Sequence, residues 1–212
     1  MDITKFGHSC LLIEEYDAKI LIDPGYWSEL QNTVTGIDAI LITHKHNDHC
    51  SIDSLKQLMA RNPNAIIYTN NDVGQKLAEA DMHFEMLEDG QEVIINGVPV
   101  KAFGKEHARI YNEPNSIAHN VGYLVSNRFF YGGDNVEYVP SVPVEILALP
   151  VAGPWLKISM AIDFAKSVKP KVAFPVHDGF IKENAASKHP ESFLPESGIE
   201  FIIPELGEVM HF

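Results

Sequence analysis

Short hydrophobic runs alternate with polar turns along most of this chain. Several runs have the length and β-branched composition of strands, and turn residues such as Asn96-Gly97 between them predict β-hairpins. Other segments have the pattern of helices, and Ser51 is the predicted N-cap of the first. Strands are predicted over Ser9–Ile13, Lys19–Ile22, Ala39–Ile42, Ala65–Thr69, Glu92–Ile95, Val98–Phe103 and Val144–Pro150, and helices over Ser51–Ala60, Asp72–Ala80 and Ile158–Val168.

The second half of the chain repeats the order of the first. His8 precedes Asp23 by 15 residues, and His119 precedes Asp134 by 15 residues. A hairpin is predicted inside each interval, and each hairpin is followed by a buried strand, a loop and a helix. We therefore expect two ββαβ-type halves, related by a pseudo-twofold axis, whose strand ends meet in one cleft where Asp134 lies near His44.

Four metal-competent side chains follow one buried strand directly. The run ITHKHNDHC at residues 42–50 places His44, His46, Asp48 and His49 within six positions. Imidazole nitrogens and carboxylate oxygens are the usual ligands of zinc and similar ions. Packing all four groups in a core would leave most of them without partners. The run therefore predicts a metal site at the end of this strand.

Composition narrows the class of protein. The 212 residues, 45% of them hydrophobic, predict one domain over 1–212 with a sizeable core. The formal charge of −13 opposes an extended nucleic-acid interface. Two cysteines, Cys10 and Cys50, do not make a disulfide scaffold, and Cys50 is expected to be buried. No apolar run approaches the ~18 residues of a membrane span, so we expect a cytoplasmic protein with no membrane association; the oligomeric state stays open.

Taken together, these motifs resemble the metallo-β-lactamase superfamily. The resemblance rests on the HxHxDH run, a later His, an Asp after a hairpin and a last His near the C-terminus. It implies an α/β fold, the four-layer αββα sandwich. Further motifs, in order, are similar to a branch of metal-dependent hydrolases near the L-ascorbate-6-phosphate lactonase group: DPG at 23–25, EHA at 106–108, NVGYLV at 120–125, GGD at 132–134, PVAGPWLK at 150–157 and PVHDG at 175–179.

The resemblance also implies two divalent metal ions, usually Zn²⁺, with Mn²⁺ or Fe in relatives. The ligands carried over are His44, His46 and His107 for the first ion, Asp48, His49 and His177 for the second, and Asp134 as the bridge. His119 competes with His107 for the first site, and the residues leave that choice open. The EHA motif departs from the PGH motif of glyoxalase II and of true β-lactamases, which argues against both activities.

The function expected is a dinuclear hydrolase that uses a metal-bound hydroxide on a small ester, lactone or phosphodiester. Two ions, less the charges of Asp48, Asp134 and hydroxide, leave about +1, which favours an anionic small-molecule substrate. The first alternative is a phosphodiesterase or nuclease acting on small or short nucleotide substrates. An iron-dependent oxidoreductase and a non-catalytic binding module are the others.

Several further residues are candidates for supporting roles. Asp23 is expected to accept a hydrogen bond from a metal-binding imidazole. His8 and His119 are expected to support the hairpins or to line the cleft. Trp27, Trp155 and Lys157 are candidate pocket residues, with Lys157 able to hold a phosphate or carboxylate. The long polar loop at 104–119 is expected to be functional.

Overall fold

Two seven-stranded mixed sheets form the centre of the computed structural model, which describes residues 1–28, 30–111, 118–182 and 185–212. In chain order the strands are β1 (Asp2–Gly7), β2 (Cys10–Glu15), β3 (Ala18–Ile22), β4 (Ala39–Ile42), β5 (Ile66–Thr69), β6 (Glu85–Met86), β7 (Glu92–Ile95), β8 (Val98–Phe103), β9 (Gly122–Val125), β10 (Phe129–Tyr131), β11 (Ile146–Pro150), β12 (Val172–Val176), β13 (Glu200–Phe201) and β14 (Val209–His211). The helices are α1 (Ile52–Arg61), α2 (Asn71–Ala78), α3 (Ile158–Val168) and α4 (Lys188–Phe193).

The two sheets have the same succession of strand directions. The first has the order β14-β1-β2-β3-β4-β5-β6 and the second β7-β8-β9-β10-β11-β12-β13. In each sheet the first three neighbouring pairs are antiparallel and the last three are parallel. This correspondence is the internal repetition that the order of predicted elements indicated.

Three hydrophobic clusters separate four layers. Side chains from the facing sides of both sheets, such as Ile13 and Tyr123, form the central cluster. The outer face of the first sheet packs against α1 and α2, and that of the second packs against α3 and against Leu194, which directly follows α4. Strand β2 shows why the layers form: Leu11 and Ile13 face the other sheet, whereas Leu12 faces the helices, because successive side chains alternate across a strand. The predicted αββα sandwich is confirmed.

Most predicted elements lie within two residues of those observed, and β4, β7, β8 and α3 have the predicted bounds. The predicted cap also forms, since the Ser51 hydroxyl accepts a hydrogen bond from Ser54 N at 3.3 Å. Strand β1 was not predicted, because Asp2, Thr4 and Lys5 interrupt its hydrophobic pattern. The short, proline-containing helix α4 was missed as well. Among the residues described, no helix has the length and hydrophobicity needed to cross a membrane.

Candidate metal centre

Six loops that follow strands bring the candidate ligands and Asp23 to one place, and one of them is the loop after β8, which carries His107. His8 follows β1, Asp23 follows β3, His44 lies two residues after β4, Asp134 lies in the turn after β10, and His177 follows β12. An isolated bridge between residues 44 and 120 ties the two sheets together at this edge. Because the carboxyl ends of neighbouring parallel strands meet at the same edge, residues far apart in the chain become neighbours.

The side chains form two adjacent groups of possible metal ligands. Within each group, the ligand atoms lie within 4.8 Å of one another. The first group is His44, His46, His107 and Asp134, and the second is His8, Asp48, His49 and His177. Apart from His46 and Asp48, which are partly exposed, all of these residues are buried. Both trios carried over from the resemblance are therefore brought together, and His8 joins the second.

The Asp134 carboxylate lies between the two groups. Its Oδ2 is 3.2 Å from His107 Nε2 in the first group and 3.0 Å from His177 Nε2 in the second. Its Oδ1 is 3.3 Å from His49 Nε2. Burial alone would raise the pKa of Asp134, but the surrounding imidazoles hold it well below its usual value. The carboxylate thus stays ionised, with both oxygens available to positive charge on either side.

Four of the imidazoles are oriented through Nδ1. His49 Nδ1 donates to Asp23 Oδ2 at 2.8 Å, and His107 and His177 Nδ1 donate to the Ala108 and Ala152 carbonyls at 2.6 and 2.7 Å. His44 Nδ1 lies 3.0 Å from the Thr43 hydroxyl, which accepts because its own proton goes to Asp23. Such outer hydrogen bonds fix the ring and direct Nε2 toward a metal.

Buried polar atoms at the centre lack hydrogen-bond partners. They are His44 Nε2, His49 Nε2, His177 Nε2 and Asp134 Oδ1. Some of these atoms approach one another closely, but not in hydrogen-bonding geometry. An unsatisfied buried polar group costs about 1–3 kcal/mol, and four together would be costly unless a ligand satisfies them. All four are donor atoms of the kind that zinc and similar ions prefer, so the residues fit a metal centre.

Asp23 orients ligands of both groups through hydrogen bonds. Its carboxylate accepts hydrogen bonds from Thr43 N at 2.7 Å, from Thr43 Oγ1 at 2.6 Å and from His49. One buried carboxylate thereby orients a histidine of each group, His49 directly and His44 through Thr43. Thr43 had no role in the prediction, since nothing in the sequence distinguishes it from an ordinary threonine at the end of a strand.

His8 has a hydrogen-bond pattern different from that of the other histidines. Its Nδ1 accepts a hydrogen bond from Gly179 N at 3.1 Å, so this nitrogen carries no proton. Burial lowers the pKa of His8 to about 4, so the ring is neutral at pH 7 and its proton resides on Nε2. That Nε2 lies 3.2 Å from Asp48 Oδ2, to which it donates. The lone pair of His8 is therefore directed at the protein backbone, away from the other ligand atoms.

Positive backbone φ angles occur at three of these positions: His8 at 41°, Asp23 at 46° and His177 at 59°. Non-glycine residues rarely adopt this conformation, and it is often retained at functional sites. At His8 and His177 the two strained segments contact each other, because His177 N donates to the His8 carbonyl at 3.0 Å.

Two glycines permit close approaches that the sequence did not signal. A Cβ on Gly25 would overlap the Asp48 carbonyl, so the turn after β3 can pack against the ligand loop only with glycine. Gly133 has φ +62° and faces Asn120 and Thr43. Asn120 is another residue whose role was missed: its Oδ1 accepts from Asp134 N at 3.0 Å and fixes the turn that carries the carboxylate.

His119, the competitor of His107 for the first site, does not line the metal centre. Its side chain is half exposed and its Nδ1 lies 3.9 Å from Asp72 Oδ1, outside both groups. Consecutive residues of an extended segment point to opposite sides. Because Asn120 is directed toward Asp134, the neighbouring His119 is directed outward.

The remaining pocket candidates have different positions. Trp155 is buried and contacts the His107 and His177 rings edge-to-face, with centroid distances of 5.8 and 5.6 Å. Trp27 is partly exposed and lies 4.8 Å from the His8 ring. Lys157 occupies the N-cap position of α3 without a side-chain capping hydrogen bond, is exposed, and has no described contact with the centre. Of the loop at 104–119, residues 112–117 lie outside the described residues, whereas His107 and Ala108 are held by hydrogen bonds to the Ala118 and Asp134 carbonyls.

Comparisons with known proteins agree with this architecture. A family model described as Beta-lactamase superfamily domain matches residues 2–177. Protein Rv0786c of Mycobacterium tuberculosis is 37% identical over 190 residues, covering 87% of each chain. UPF0173 protein PF0020 of Pyrococcus furiosus is 31% identical over 209 residues, covering 92% of this chain and 90% of that protein. UPF0173 metal-dependent hydrolase MJ1163 of Methanocaldococcus jannaschii is 25% identical over 226 residues, covering 97% and 98%.

A solved structure shares the fold over the whole chain. Igni18, described as a novel metallo hydrolase from Ignicoccus hospitalis, has a TM-score of 0.76 at 20% identity and covers 100% of this chain and 98% of its own. This likeness shows the fold, and the family model and the sequence relatives show the family. The chain belongs to the metallo-β-lactamase superfamily and, within it, to the UPF0173 family of metal-dependent hydrolases.

Proposed function

We propose that this protein is a dinuclear hydrolase that cleaves a small ester, lactone or phosphodiester. The observation that carries the proposal is the pair of adjacent ligand groups with the Asp134 carboxylate between them. Lactones are included among the proposed substrates because the sequence resembles the L-ascorbate-6-phosphate lactonase group. Zinc is the metal proposed, because imidazole and carboxylate ligands suit it.

His44, His46 and His107 would hold one ion, Asp48, His49 and His177 the other, and Asp134 would bridge them. When bound, two such ions lower the pKa of water towards ~7 and polarise the bond to be broken. Asp48 and Asp134 remove two of the four positive charges, so the centre stays electropositive towards an oxyanion that develops during hydrolysis.

The protein's own groups orient this centre. The Nδ1 hydrogen bonds of His44, His49, His107 and His177 fix the four rings before any metal binds, which lowers the cost of ordering them. Trp155 covers the edges of His107 and His177 and excludes water from that flank.

In this proposal, His8 is a positioning residue and not a sixth nitrogen ligand. Its Nε2–H donates to Asp48 Oδ2, the oxygen that also lies 3.7 Å from His49 Nε2 and 3.5 Å from His177 Nε2, and it would thereby orient this carboxylate within the second ligand group. The backbone N–H of Gly179 keeps the His8 ring in the tautomer that can donate.

The proposal is tested by metal content together with a substrate panel. Protein purified without added metal should contain about two zinc ions per chain by mass spectrometry, and it should hydrolyse at least one member of a lactone, ester and phosphodiester panel. Asp134→Ala should lose hydrolysis and at least one ion, whereas Asp163→Ala, at an exposed acid on α3, should keep both. One ion or none, with no gain on reconstitution, would refute the dinuclear centre. Two irons with oxygen consumption would favour a redox enzyme instead.

A further inference from the structure

Three partly exposed aromatic side chains form a continuous patch beside the candidate metal centre. Tyr26, Trp27 and Phe180 are 49%, 40% and 44% exposed. The ring centroids are 4.9 Å apart between Tyr26 and Trp27 and 5.4 Å apart between Trp27 and Phe180. We call these three residues the aromatic rim. Large adjacent apolar surfaces left open to water are unfavourable, and they commonly mark a binding site.

The aromatic rim is continuous with the metal ligands. Trp27 contacts the His8 ring at 4.8 Å, and Phe180 contacts the rings of His8 and His177 at 6.0 and 5.7 Å. The rim residues belong to none of the three hydrophobic clusters that the described residues form. They therefore add nothing to the core that would explain three large rings at this position.

Two strand-end loops, one from each sheet, supply the aromatic rim. Tyr26 and Trp27 follow β3 in the first sheet, and Phe180 lies in the loop after β12 in the second. The rim spans the junction between the two halves, as the metal ligands do. A small molecule resting on it would extend directly from the second ligand group.

The nearest buried cation does not offer a binding site for an anion. Lys5 Nζ is held by both oxygens of Asp178, at 2.8 and 2.6 Å, directly beside His177. Its charge is neutralised within the protein, and its side chain is 3% exposed. A charged group of a substrate would thus find positive potential at the metal ions, whereas the rim itself offers apolar ring surface.

From this arrangement we infer that the aromatic rim binds the apolar part of the substrate, an alkyl chain or an aromatic ring, while its ester or lactone group lies at the metal centre. The inference rests on the proposed function and names its substrate class: an apolar ester or lactone, in preference to a phosphosugar or a nucleotide. Burial of a methylene is worth about a three- to fourfold change in affinity where the contact is complete.

The test measures binding separately from turnover. The chain has two tryptophans, Trp27 and Trp155, and both lie at the site, so intrinsic fluorescence reports ligands there. Zinc-loaded protein is titrated with acetate, butyrate, hexanoate and phenylacetate, whose carboxylate is the same throughout. Hexanoate should bind at least about tenfold more tightly than acetate. In parallel, γ-lactones with alkyl chains of increasing length should show a falling KM.

Phe180→Ala should abolish the dependence on chain length and leave the affinity for acetate unchanged. Phe193→Ala is the matched control, because Phe193 is 48% exposed, lies in α4 and has no described ring contact with a ligand residue. The control should retain the full dependence. Titration calorimetry of Trp27→Ala, which removes one of the two fluorophores, should agree with the result for Phe180→Ala.

Equal affinity of wild-type protein for acetate and hexanoate would overturn the inference, and so would a dependence on chain length that survives in both rim variants. A concentration-dependent dimer that Phe180→Ala dissociates, without any chain-length effect, would identify the rim as a self-association surface instead. If hexanoate is preferred through the rim but no ester or lactone is hydrolysed, the proposed function fails and the apolar subsite stands.

Discussion

Replacing His8 tests whether this residue binds metal itself or orients the ligand Asp48. Asn tolerates the positive φ of 41° at this position better than most residues, so His8→Asn removes the imidazole with little added backbone strain. The Asn amide is too short to reach Asp48. Gln extends further and can place an N–H near the position of the original Nε2, so His8→Gln can restore the hydrogen bond to Asp48.

The hydrogen-bond geometry sets the expected size of the effect. Loss of an outer partner of a metal ligand typically weakens metal affinity by about 10–100-fold. Because Asp48 belongs to only one of the two ligand groups, His8→Asn should weaken the binding of one zinc ion by that factor and leave the affinity for the other unchanged. His8→Gln should recover much of the loss. Competition with a chromophoric chelator measures both affinities, and urea unfolding of the metal-free proteins corrects for any general loss of stability.

A second measurement checks the tautomer directly. In long-range ¹H–¹⁵N spectra of the zinc-loaded protein, His8 should show a protonated Nε2 and an unprotonated Nδ1, as the hydrogen bonds from Gly179 and to Asp48 require. If Asn and Gln weaken the same ion equally, and His8 Nε2 has the chemical shift of a metal-bound nitrogen, the reasoning is refuted and His8 is a ligand.

Three further predictions concern protons, packing and charge. Burial alone would lower the pKa of His177, but the adjacent carboxylates outweigh burial and raise it to about 10 in the metal-free protein. Zinc binding at pH 7 should therefore release a proton. For the same reason, zinc affinity should rise between pH 7 and 10. Calorimetry in buffers of different ionisation enthalpy checks this, and a heat independent of buffer would contradict it. Because the pKa of His177 is raised in the folded protein, its protonated ring contributes to the stability of the metal-free fold. This contribution is complete below about pH 6.5 and is lost as the pH rises through about 10. Urea unfolding across that range should show the loss. In urea unfolding, Gly133→Ala should destabilise the protein by about 1–3 kcal/mol more than Gly36→Ala. Both glycines have a positive φ, but only Gly133 has neighbours where the added methyl would lie. Equal losses would show that packing around Gly133 is unimportant. Lys5→Met should cost up to about 3–5 kcal/mol, because it leaves the carboxylate of Asp178, whose side chain is only 12% exposed, without its partner. Lys101→Met, which breaks an exposed pair, should cost less than about 1 kcal/mol. Similar losses for the two variants would show that solvent screens the Lys5 pair as fully as the exposed one.

The sequence determined the architecture and the first part of the site to a large extent. The strand before His44 is continuously apolar, and four side chains able to bind metal follow it directly. Such groups would lack partners in a core, so the sequence predicted a metal site. The repeated order of elements predicted two similar halves, because a strand pattern with period two and the turns that bound it are local properties of a chain. The bounds of β4, β7, β8 and α3 followed for the same reason.

Tertiary structure decided which residue completes each group. The sequence favoured His107, which follows a strand and a short turn, but left His119 as a competitor. The two were separated only when the bridge between residues 44 and 120 directed Asn120 inward and His119 outward. Lys157 was a plausible anion-binding residue until the fold placed it at the exposed N-terminus of α3. The face on which such a side chain lies depends on contacts with distant strands.

The same holds for the chemical state of His8 and for the aromatic rim. The proton of His8 is placed by the N–H of a residue 171 positions later in the chain, and Trp27 meets Phe180 only where the two sheets join. Local patterns determine secondary structure because they act between near neighbours. Hydrogen-bond partners, tautomers and the walls of a cleft depend on atoms that folding brings together from separate parts of the chain, and for this protein only the folded arrangement of the two sheets decided them.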